Sequence, residues 1–224
     1  MAGEGSELRG RRIPEATVVR LPVYQRIVSD LVAGGQRTVS SEQLGVLARV
    51  NAAKVRKDLS HLGSLGTRGT GYDTALLVAQ IDRALGADGD WPIAIVGIGN
   101  LGRALANSEG FSSHGFRVAA LFDASPAVVG TMVGPVRVQH IEDLAATAAE
   151  ARPAVGVVAT PAAVAQEVTE ALVANGVPSI LNFAPRVLTV PAHIVLRNVD
   201  LSIELQVMSF YQARSGPNGA DGPA

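Results

Sequence analysis

The sequence contains no cysteine, few aromatic residues and no long hydrophobic run. Without cysteine the chain cannot form disulfides, thiolate zinc sites or iron–sulfur clusters, or use a cysteine nucleophile. No apolar run reaches the roughly eighteen residues that predict a membrane-spanning helix, and the four histidines are too scattered to suggest a metal site. Aromatic residues make up 4% of the chain and all apolar types 47%. We therefore expect an interior of Ala, Val and Leu, as is typical of a parallel sheet under helices.

Lysine is also scarce, since Lys54 and Lys57 are the only two in the chain. The net charge of −1 conceals an uneven distribution. Residues 1–73 contain eleven Lys and Arg against seven Asp and Glu, a charge of +4, whereas residues 74–224 contain eight against thirteen, a charge of −5. A basic first third joined to an acidic remainder indicates that only the first third meets a polyanion.

A glycine motif stands between two apolar runs in residues 93–123. Its glycines, Gly97, Gly99 and Gly102, follow the first run and open a helical pattern, and Asp123 ends the second run 21 residues after the last glycine. This order of strand, turn, helix, strand and acid is typical of a dinucleotide site, in which the turn holds the pyrophosphate and the acid binds the adenosine ribose. The negative charge of Asp123 favours NAD(H) over NADP(H). The alternative is a glycine-rich turn without a nucleotide.

Three short helices are predicted in the first third of the chain. Apolar residues at helical spacing mark residues 14–31, with Pro22 expected to start or kink that helix. Ser40 and Gln43 form a capping-box pattern before a second helix, and Asn51 can cap a third. Three helices with a tight turn before the third predict a helix-turn-helix within residues 22–61.

The third helix carries the charges expected of a DNA-recognition helix. Lys54, Lys57, Asp58 and His61 recur at helical spacing, so we expect them on one outer stripe, with Arg56 beside them. Such a stripe suits the base edges and phosphates of the major groove. The alternative is an ordinary solvated helix face.

A glycine-rich segment at residues 63–72 follows the third helix. It predicts a β-hairpin with Arg68 at its tip, where an arginine can enter the minor groove. Together with the helices, this hairpin predicts a winged-helix domain.

The second half of the chain alternates strands and helices after a Gly/Asp-rich boundary at residues 86–92. We expect a turn at residues 124–134, a strand at 136–139, a buried strand at 154–159 and a helix that begins at Pro161. The fold class is therefore α/β, a winged helix followed by a Rossmann-type doubly wound parallel sheet. The predicted domains are residues 1–82, 91–199, a helix at 200–214 and a disordered tail at 215–224.

The last helix presents apolar side chains with no chain left to cover them. Asp200 is a suitable cap, and Leu201, Leu205, Met208 and Phe210 lie beyond it. A partner subunit can cover this helix, or the helix can pack back on its own domain. The sequence alone leaves both arrangements open.

These pieces together resemble the redox-sensing transcriptional repressors of the Rex family, from Pro14 to Tyr211. The order and spacing of the matching segments carry the resemblance, rather than any one segment. The segments are Ser41-Glu42-Gln43-Leu44, Val55-Arg56-Lys57-Asp58-Leu59-Ser60 with Gly63, Arg68-Gly69-Thr70-Gly71-Tyr72, Gly97 to Ala106, Leu181-Asn182-Phe183-Ala184-Pro185, and Val199-Asp200-Leu201-Ser202 with Glu204-Leu205 and Ser209-Phe210.

Because the chain has neither a membrane-spanning run nor a signal-peptide pattern at residues 1–5, we expect a soluble, cytoplasmic protein. The resemblance implies a homodimer that binds a pseudo-palindromic operator when NADH is scarce and releases it when NADH binds. It also implies that the last helix is domain-swapped onto the partner subunit and that Arg26 and Asp200 distinguish the two dimer states. The chain departs from the family at Ser108, where the family usually has a tyrosine. Apolar groups such as Phe111, Phe183 and Pro185 would favour the neutral nicotinamide of NADH over the cationic ring of NAD+.

The predicted site residues fall into three groups. The coenzyme contacts are Gly97, Ile98, Gly99, Asn100, Leu101, Gly102, Phe111, Asp123, Thr160, Pro161, Asn182 and Phe183. The DNA contacts are Ser41, Lys54, Arg56, Lys57, Ser60, His61, Arg68, Gly69 and Tyr72. The switch and interface residues are Arg26, Ser108, Asp200, Leu205, Met208 and Phe210.

Two other functions fit parts of the sequence. One is an NAD-dependent dehydrogenase with a basic amino-terminal appendage, but such an enzyme needs a positioned acid or base beside the nicotinamide, and no catalytic setting is recognisable. The other is a DNA-binding sensor of a CoA-like nucleotide, which Asp123 disfavours.

Overall fold

The computed structural model describes residues 13–63, 66–67 and 71–214. The chain divides into two compact units between Gly89 and Asp90, while the finer domain limits stay predictions. Arg68 and Gly69 of the expected wing tip, and the expected disordered tail at 215–224, lie outside the described residues. Among the helices that the structure describes, none combines the length and the apolar character needed to cross a membrane.

The first unit is a winged helix. Its strands form a small antiparallel sheet in the order β1-β3-β2, in which β2 and β3 are the two arms of the predicted hairpin. The strand β1 was not predicted from the sequence. The elements are α1 (Glu15–Ala33), β1 (Thr38–Val39), α2 (Ser41–Leu47), α3 (Ala52–Ser60), β2 (Gly66–Thr67), β3 (Gly71–Asp73) and α4 (Thr74–Leu85).

The predicted helix caps in this unit are confirmed. The Ser40 side chain accepts a hydrogen bond from the Gln43 amide at 3.1 Å, and the Asn51 side chain accepts one from the Lys54 amide at 2.8 Å. The turn between α2 and α3 is tight, because a Cβ on Gly45 would lie 2.6 Å from the Val50 carbonyl oxygen.

We expected the first helix either to start or to kink at Pro22. The helix does not start there, because α1 begins seven residues earlier, at Glu15, and continues through Pro22. Proline removes the amide that would bond the Val18 carbonyl. Both Pro22 and Val18 are exposed, so water can satisfy that carbonyl. The opposite face of α1 is buried through Leu21, Tyr24 and Val28 in the core of this unit.

The second unit contains a seven-stranded sheet in the order β10-β9-β8-β4-β5-β7-β6. All neighbouring pairs are parallel except β6 with β7. The strands are β4 (Trp91–Val96), β5 (Phe116–Asp123), β6 (Met132–Val133), β7 (Val136–His140), β8 (Val155–Val158), β9 (Ser179–Asn182) and β10 (Val195–Asn198).

The parallel strands are arranged as in a dinucleotide-binding fold. Numbered along the chain without the antiparallel β6, the described strands run 6-5-4-1-2-3, which is the doubly wound order read from the other edge. Strand order reverses beside β4, the strand that precedes the glycine turn. The predicted fold class is thereby confirmed.

Helices cover the sheet on both faces. Alternate residues of β4 separate two apolar clusters: Ala94 and Val96 pack with Leu144 of α7 and Val168 of α8, whereas Ile93 and Ile95 lie in the cluster on the other face. The helices are α5 (Asn100–Ala106), α6 (Glu109–Ser112), α7 (Leu144–Ala151), α8 (Ala165–Ala174) and α9 (Leu201–Arg214), with a 3-10 turn at Ile141–Asp143.

Two local predictions in this unit were wrong. The segment expected to be a turn contains β6, which pairs with β7 across Gly134 at φ +55°. The helix expected to begin at Pro161 begins at Ala165. The guanidinium of Arg186 donates to the carbonyl oxygens of Ala162 and Ala163 at 3.1 and 3.5 Å, which holds this segment as a turn.

No residue of α9 is buried by the described part of the chain. Leu201, Leu205, Met208 and Phe210 are 71, 63, 61 and 51% exposed. The alternative in which this helix packs back on its own domain is therefore not the arrangement in the structure.

Candidate coenzyme site and nucleic-acid interface

The glycine turn is shaped by two close backbone contacts and one open position. Gly97 has φ +94°, and a Cβ there would lie 2.7 Å from the Ala159 carbonyl oxygen, while a Cβ on Gly102 would collide with the Gly97 carbonyl. A Cβ on Gly99 would meet no protein atom within 4 Å. Two glycines are therefore required by the packing of the fold, whereas Gly99 faces open space that a ligand can approach.

Asp123 joins the end of β5 to the glycine turn. One carboxylate oxygen accepts a hydrogen bond from the Ile98 amide at 2.7 Å, and the other accepts one from the Ser125 amide at 2.8 Å. A carboxylate oxygen can accept more than one hydrogen bond, so both oxygens keep capacity for ribose hydroxyls. The bond to the turn is a role that sequence spacing did not predict.

A cavity of 340 Å³ lies where the strand order reverses, between the loops that follow β4 and β8. Ligands of open α/β sheets bind in this position. Polar groups at its wall come from Asp123, Thr160 and Glu167, and the Thr160 hydroxyl is buried without a hydrogen-bond partner among the described residues. Its apolar wall comprises Val96, Ile141, Val164, Val168 and Ala171.

The structure brings together only part of the predicted coenzyme set at this cavity. Gly97, Asp123, Thr160 and Pro161 line it, and Glu167, which sequence reasoning missed, completes its polar wall. Glu167 lies in α8 outside any motif, so no signal in the sequence pointed to it.

A second cavity, of 230 Å³, lies against the other face of the sheet. Phe111 lines it together with Ile93, Val157 and Leu181. Phe183 packs against the same apolar cluster as Phe111, so the two aromatic residues predicted for the nicotinamide pocket share one face of the sheet.

Asn182 is 1% exposed, and its side chain is occupied within the protein. Its amide nitrogen donates to the Ala184 and Arg186 carbonyls at 3.2 and 3.0 Å and to the Asn198 side chain at 2.9 Å. Its amide oxygen accepts from the Ala184 amide at 2.9 Å. In the structure this side chain therefore orders the loop after β9 and ties it to β10.

The outer face of α3 presents Lys54 and Lys57 to solvent. Arg56 is also exposed, but its guanidinium donates to the Ser41 hydroxyl and to Glu42, both at 2.9 Å. The Ser60 hydroxyl donates to the Lys57 carbonyl at 2.7 Å. The two lysines are thus the cations on this face whose side chains make no described hydrogen bond or ion pair.

Asp58 does not belong to this outer face, and its placement there was wrong. It is 2% exposed, and it lies at the edge of the buried stripe that contains Val55 and Leu59. Arg20 of α1 donates two hydrogen bonds to its carboxylate, each at 2.7 Å. Burial raises the pKa of Asp58, but the hydrogen bonds from Arg20, Thr17 and Tyr24 outweigh it, and the net pKa lies below the usual value.

The remaining predicted DNA contacts are described only in part. His61 is the C-cap that follows α3, and its Nε2 is buried without a hydrogen-bond partner in the described ranges. Tyr72 lies in β3 with its ring 3.0 Å from the position of a Cβ on Gly66, and burial raises its pKa.

The predicted switch residues occupy defined positions within their own units. Arg26 is exposed on α1, and Ser108 is an exposed N-cap of α6 whose side chain makes no capping bond. Asp200 accepts from the Ser202 hydroxyl at 2.6 Å and from the Ser202 amide at 2.9 Å. These bonds lower the pKa of Asp200 and fix the start of α9.

Two family models match the chain. Residues 12–60 match a model described as the amino terminus of putative DNA-binding proteins, and residues 88–186 match a CoA-binding domain. A redox-sensing transcriptional repressor Rex from Streptomyces griseus is 57% identical over 92% of this chain and 81% of its own length. The Rex of Streptomyces coelicolor is 55% identical over 96% of this chain and 84% of its own length.

The chain belongs to the Rex family. A more distant Rex, from Syntrophomonas wolfei, is 44% identical over 90% of this chain and 96% of its own length. Because its curated relatives are named as repressors, the dehydrogenase alternative is wrong. The CoA-binding model describes the domain type, and the whole-chain relatives are Rex repressors rather than CoA sensors.

Solved Rex structures share the fold. The structure of RSP, a Rex-family repressor, has a TM-score of 0.82 and 32% identity, covering 90% of this chain and 94% of its own. RSP in complex with β-NAD+ and operator DNA has a TM-score of 0.85 and 32% identity, covering 90% and 93%. RSP with β-NADH has a TM-score of 0.83 and 31% identity, covering 90% and 95%.

Replacement of Gly99 by alanine tests the coenzyme site. Its φ of −76° suits any L-residue and its Cβ position is open, so we expect Gly99→Ala to leave the melting temperature unchanged. The added methyl group occupies the space into which a pyrophosphate approaches, so NADH affinity should fall by roughly tenfold, the equivalent of one hydrogen bond to a charged group. Fluorescence titration with NADH measures the change.

Gly34→Ala is the matched control, because Gly34 also has a negative φ and only ordinary van der Waals neighbours. It should alter neither affinity nor melting temperature. Unchanged NADH affinity in Gly99→Ala would place the pyrophosphate elsewhere.

Proposed function

We propose that this protein is a homodimeric repressor that binds operator DNA when NADH is low and releases it when NADH binds. The observation that carries the proposal is the combination, in one Rex-family chain, of a winged helix with exposed lysines and a Rossmann sheet with a cleft at its switch point. RSP, of the same family and fold, has been solved with NADH, and with NAD+ and operator DNA. A protein that reads operator DNA in response to the coenzyme pool acts in the cytoplasm.

The residues that line the cleft suit the adenosine half of NAD(H). The adenosine ribose would donate hydrogen bonds to Asp123, and the adenine would lie on the apolar wall that includes Ile141 and Val164. The pyrophosphate would be held at the open position of Gly99 and by the Thr160 hydroxyl, which has no hydrogen-bond partner in the part of the chain that the structure describes. Ile98, Asn100, Leu101 and Gly102 would contribute through the backbone of the same turn.

Preference for NADH follows from the charge of the nicotinamide ring. NADH carries a neutral ring and NAD+ a cationic one, and an apolar environment penalises the cation. Phe111 and Phe183 supply that environment on one face of the sheet. Asn182 would support the ring by ordering the loop that carries Phe183 rather than by a free side chain.

DNA recognition would use α3 in the major groove. Lys54 and Lys57 would bind phosphates or base edges, and Arg56 would reach DNA after exchanging its bond to Glu42. Ser41, Ser60, His61 and Tyr72 flank this face, and Arg68 and Gly69 would form the wing contact. The operator would be a pseudo-palindrome, since each subunit of a dimer supplies one winged helix.

The switch would act through α9 and its root. The apolar faces of α9 need a cover, and domain-swapping onto a second copy supplies one through Leu205, Met208 and Phe210. Arg26 and Asp200 would pair in one of two dimer states. Ser108 stands where the family usually has a tyrosine. In this chain the signal from bound NADH to the DNA-binding domain would therefore not depend on an aromatic hydroxyl at this position.

A gel-shift titration with reduced and oxidised coenzyme tests the proposed response. Saturating NADH should weaken operator binding by roughly 5- to 150-fold, the range of typical allosteric coupling. NAD+ at equal occupancy should weaken it far less. Equal effects of the two coenzymes would contradict redox sensing.

Replacement of both lysines tests the DNA interface. Lys54→Ala combined with Lys57→Ala should abolish specific operator binding and lower the salt dependence of log K by roughly 0.9 for each phosphate that is no longer neutralised. NADH affinity should stay at the wild-type value. Arg83→Ala in α4 is a control that removes a cation from the same unit, and equal effects of the two variants on operator affinity would count against α3 as the recognition helix.

A charge on the apolar face of α9 tests dimerisation. Leu205→Asp with Met208→Asp places two charges three residues apart on one face, so the dimer should dissociate in sedimentation equilibrium. Gln206→Asp, on another face of α9, should leave the dimer intact. A stable dimer of the double variant would show that α9 is not the contact.

A further inference from the structure

Asp58 is a buried carboxylate in the last turn of α3, the proposed recognition helix. Four donors converge on its two oxygens: the Thr17 hydroxyl at 2.8 Å, the Tyr24 hydroxyl at 2.8 Å, and Nε and Nη2 of Arg20, both at 2.7 Å. Its side chain is 3% exposed and that of Arg20 is 23% exposed. Such a set satisfies the carboxylate fully, which is what a buried charge requires.

All three donor residues belong to α1 and all bond to one residue of α3. Residues 17, 20 and 24 are spaced by three and four, so they form a single stripe of α1. The sequence separations from Asp58 are 41, 38 and 34 residues. The network therefore fixes α3 on α1 across the unit.

Apolar packing alone leaves the rotation of α3 less defined. Val55 and Leu59 pack in the same core as Leu21 and Val28, but apolar contacts carry no direction. The planar guanidinium of Arg20 meets the carboxylate through two parallel hydrogen bonds, a geometry that fixes orientation as well as distance. A small rotation of α3 about its axis would break this pair.

The position of Asp58 on α3 links this rotation to the DNA-facing residues. Asp58 lies four residues after Lys54, so it stands at the boundary between the lysine stripe and the buried stripe that contains Val55. Holding Asp58 inward turns Lys54 and Lys57 outward. The contact between Asp58 and Arg20 therefore determines which side chains α3 presents to solvent.

We propose that Asp58 and Arg20 form a positioning clamp that sets the rotation of the recognition helix for operator binding, without themselves touching DNA. This inference rests on the proposed function of the chain as an operator-binding repressor. Arg20 is accordingly a cation of the basic unit whose charge is used inside the protein. Net stabilisation is not required of the clamp, since a buried ion pair often contributes little to stability.

Arg20→Lys separates geometry from charge. Lysine keeps the positive charge but cannot form the two parallel bonds. Operator affinity should therefore fall by about tenfold, as for the removal of one charged hydrogen bond, while NADH affinity and binding to random-sequence DNA stay within about twofold because neither depends on the rotation of α3. Arg83→Lys in α4 is the matched control and should change none of these.

Asp58→Asn and a double variant test whether a restored pair recovers operator affinity. Asp58→Asn turns an amide donor towards Arg20 and should weaken operator binding more than Arg20→Lys does. Arg20→Gln with Asp58→Asn restores a neutral pair that can exchange hydrogen bonds, and it should recover most of the operator affinity. Circular dichroism at the assay temperature checks folding, and Arg20→Lys carries the test if Asp58→Asn does not fold.

Each outcome decides between the clamp and the function on which it rests. DNA selected from a random library with the wild-type protein serves as the operator. If the wild type selects no sequence, the proposed function is wrong and the clamp falls with it. If the wild type binds and responds to NADH but Arg20→Lys binds the operator like the wild type, or the double variant is no better than Asp58→Asn, the clamp alone is wrong.

Discussion

The close contact of the glycine turn with its neighbours is the constraint on which the coenzyme domain depends. Gly97 lies against the backbone of Ala159, and Gly102 lies against Gly97. Neither contact leaves room for a side chain, so the turn brings β4, α5 and the loop after β8 together at one point. Asp123 fastens the same turn to β5 through the Ile98 amide. The cleft exists because these backbone segments meet where the strand order reverses.

Hydrogen bonds between the loops that follow β8 and β9 connect the region of the glycine turn with the segment that leads to α9. Arg186 holds the turn that precedes α8, and Asn182 bonds the Arg186 carbonyl and the Asn198 side chain. Asn198 ends β10, two residues before Asp200, which caps α9. Hydrogen bonds, together with the backbone between residues 198 and 200, therefore connect the turn beside the cleft to the start of the helix that a partner is expected to cover. Contiguity of this kind is a physical route for coupling, although coupling itself is a difference in free energy between two states.

The winged helix exposes the lysines of α3 and also holds α3 in a defined orientation. Its core is apolar, yet a charged network passes through it between α1 and α3. Arg56 is engaged by Ser41 and Glu42, so the exposed charge is concentrated on Lys54 and Lys57. Of the eleven basic residues in residues 1–73, Lys54 and Lys57 are therefore the ones that α3 presents to solvent without a described hydrogen bond or ion pair.

Local sequence patterns were enough to predict several features of this structure. The caps at Ser40 and Asn51, the glycine turn, the parallel strands and the exposed terminal helix follow from hydrogen-bonding groups and periodicities that act within a few residues. Tertiary structure decided the rest, because the deciding partner is distant in the chain. Arg20 draws Asp58 inward from a position that spacing alone assigns equally to either stripe, and Arg186 delays the helix after Pro161 by bonding carbonyls from a loop over twenty residues away. Asn182 is likewise committed to Asn198 rather than left free for a ligand, since a buried amide takes whichever partners the fold brings within reach.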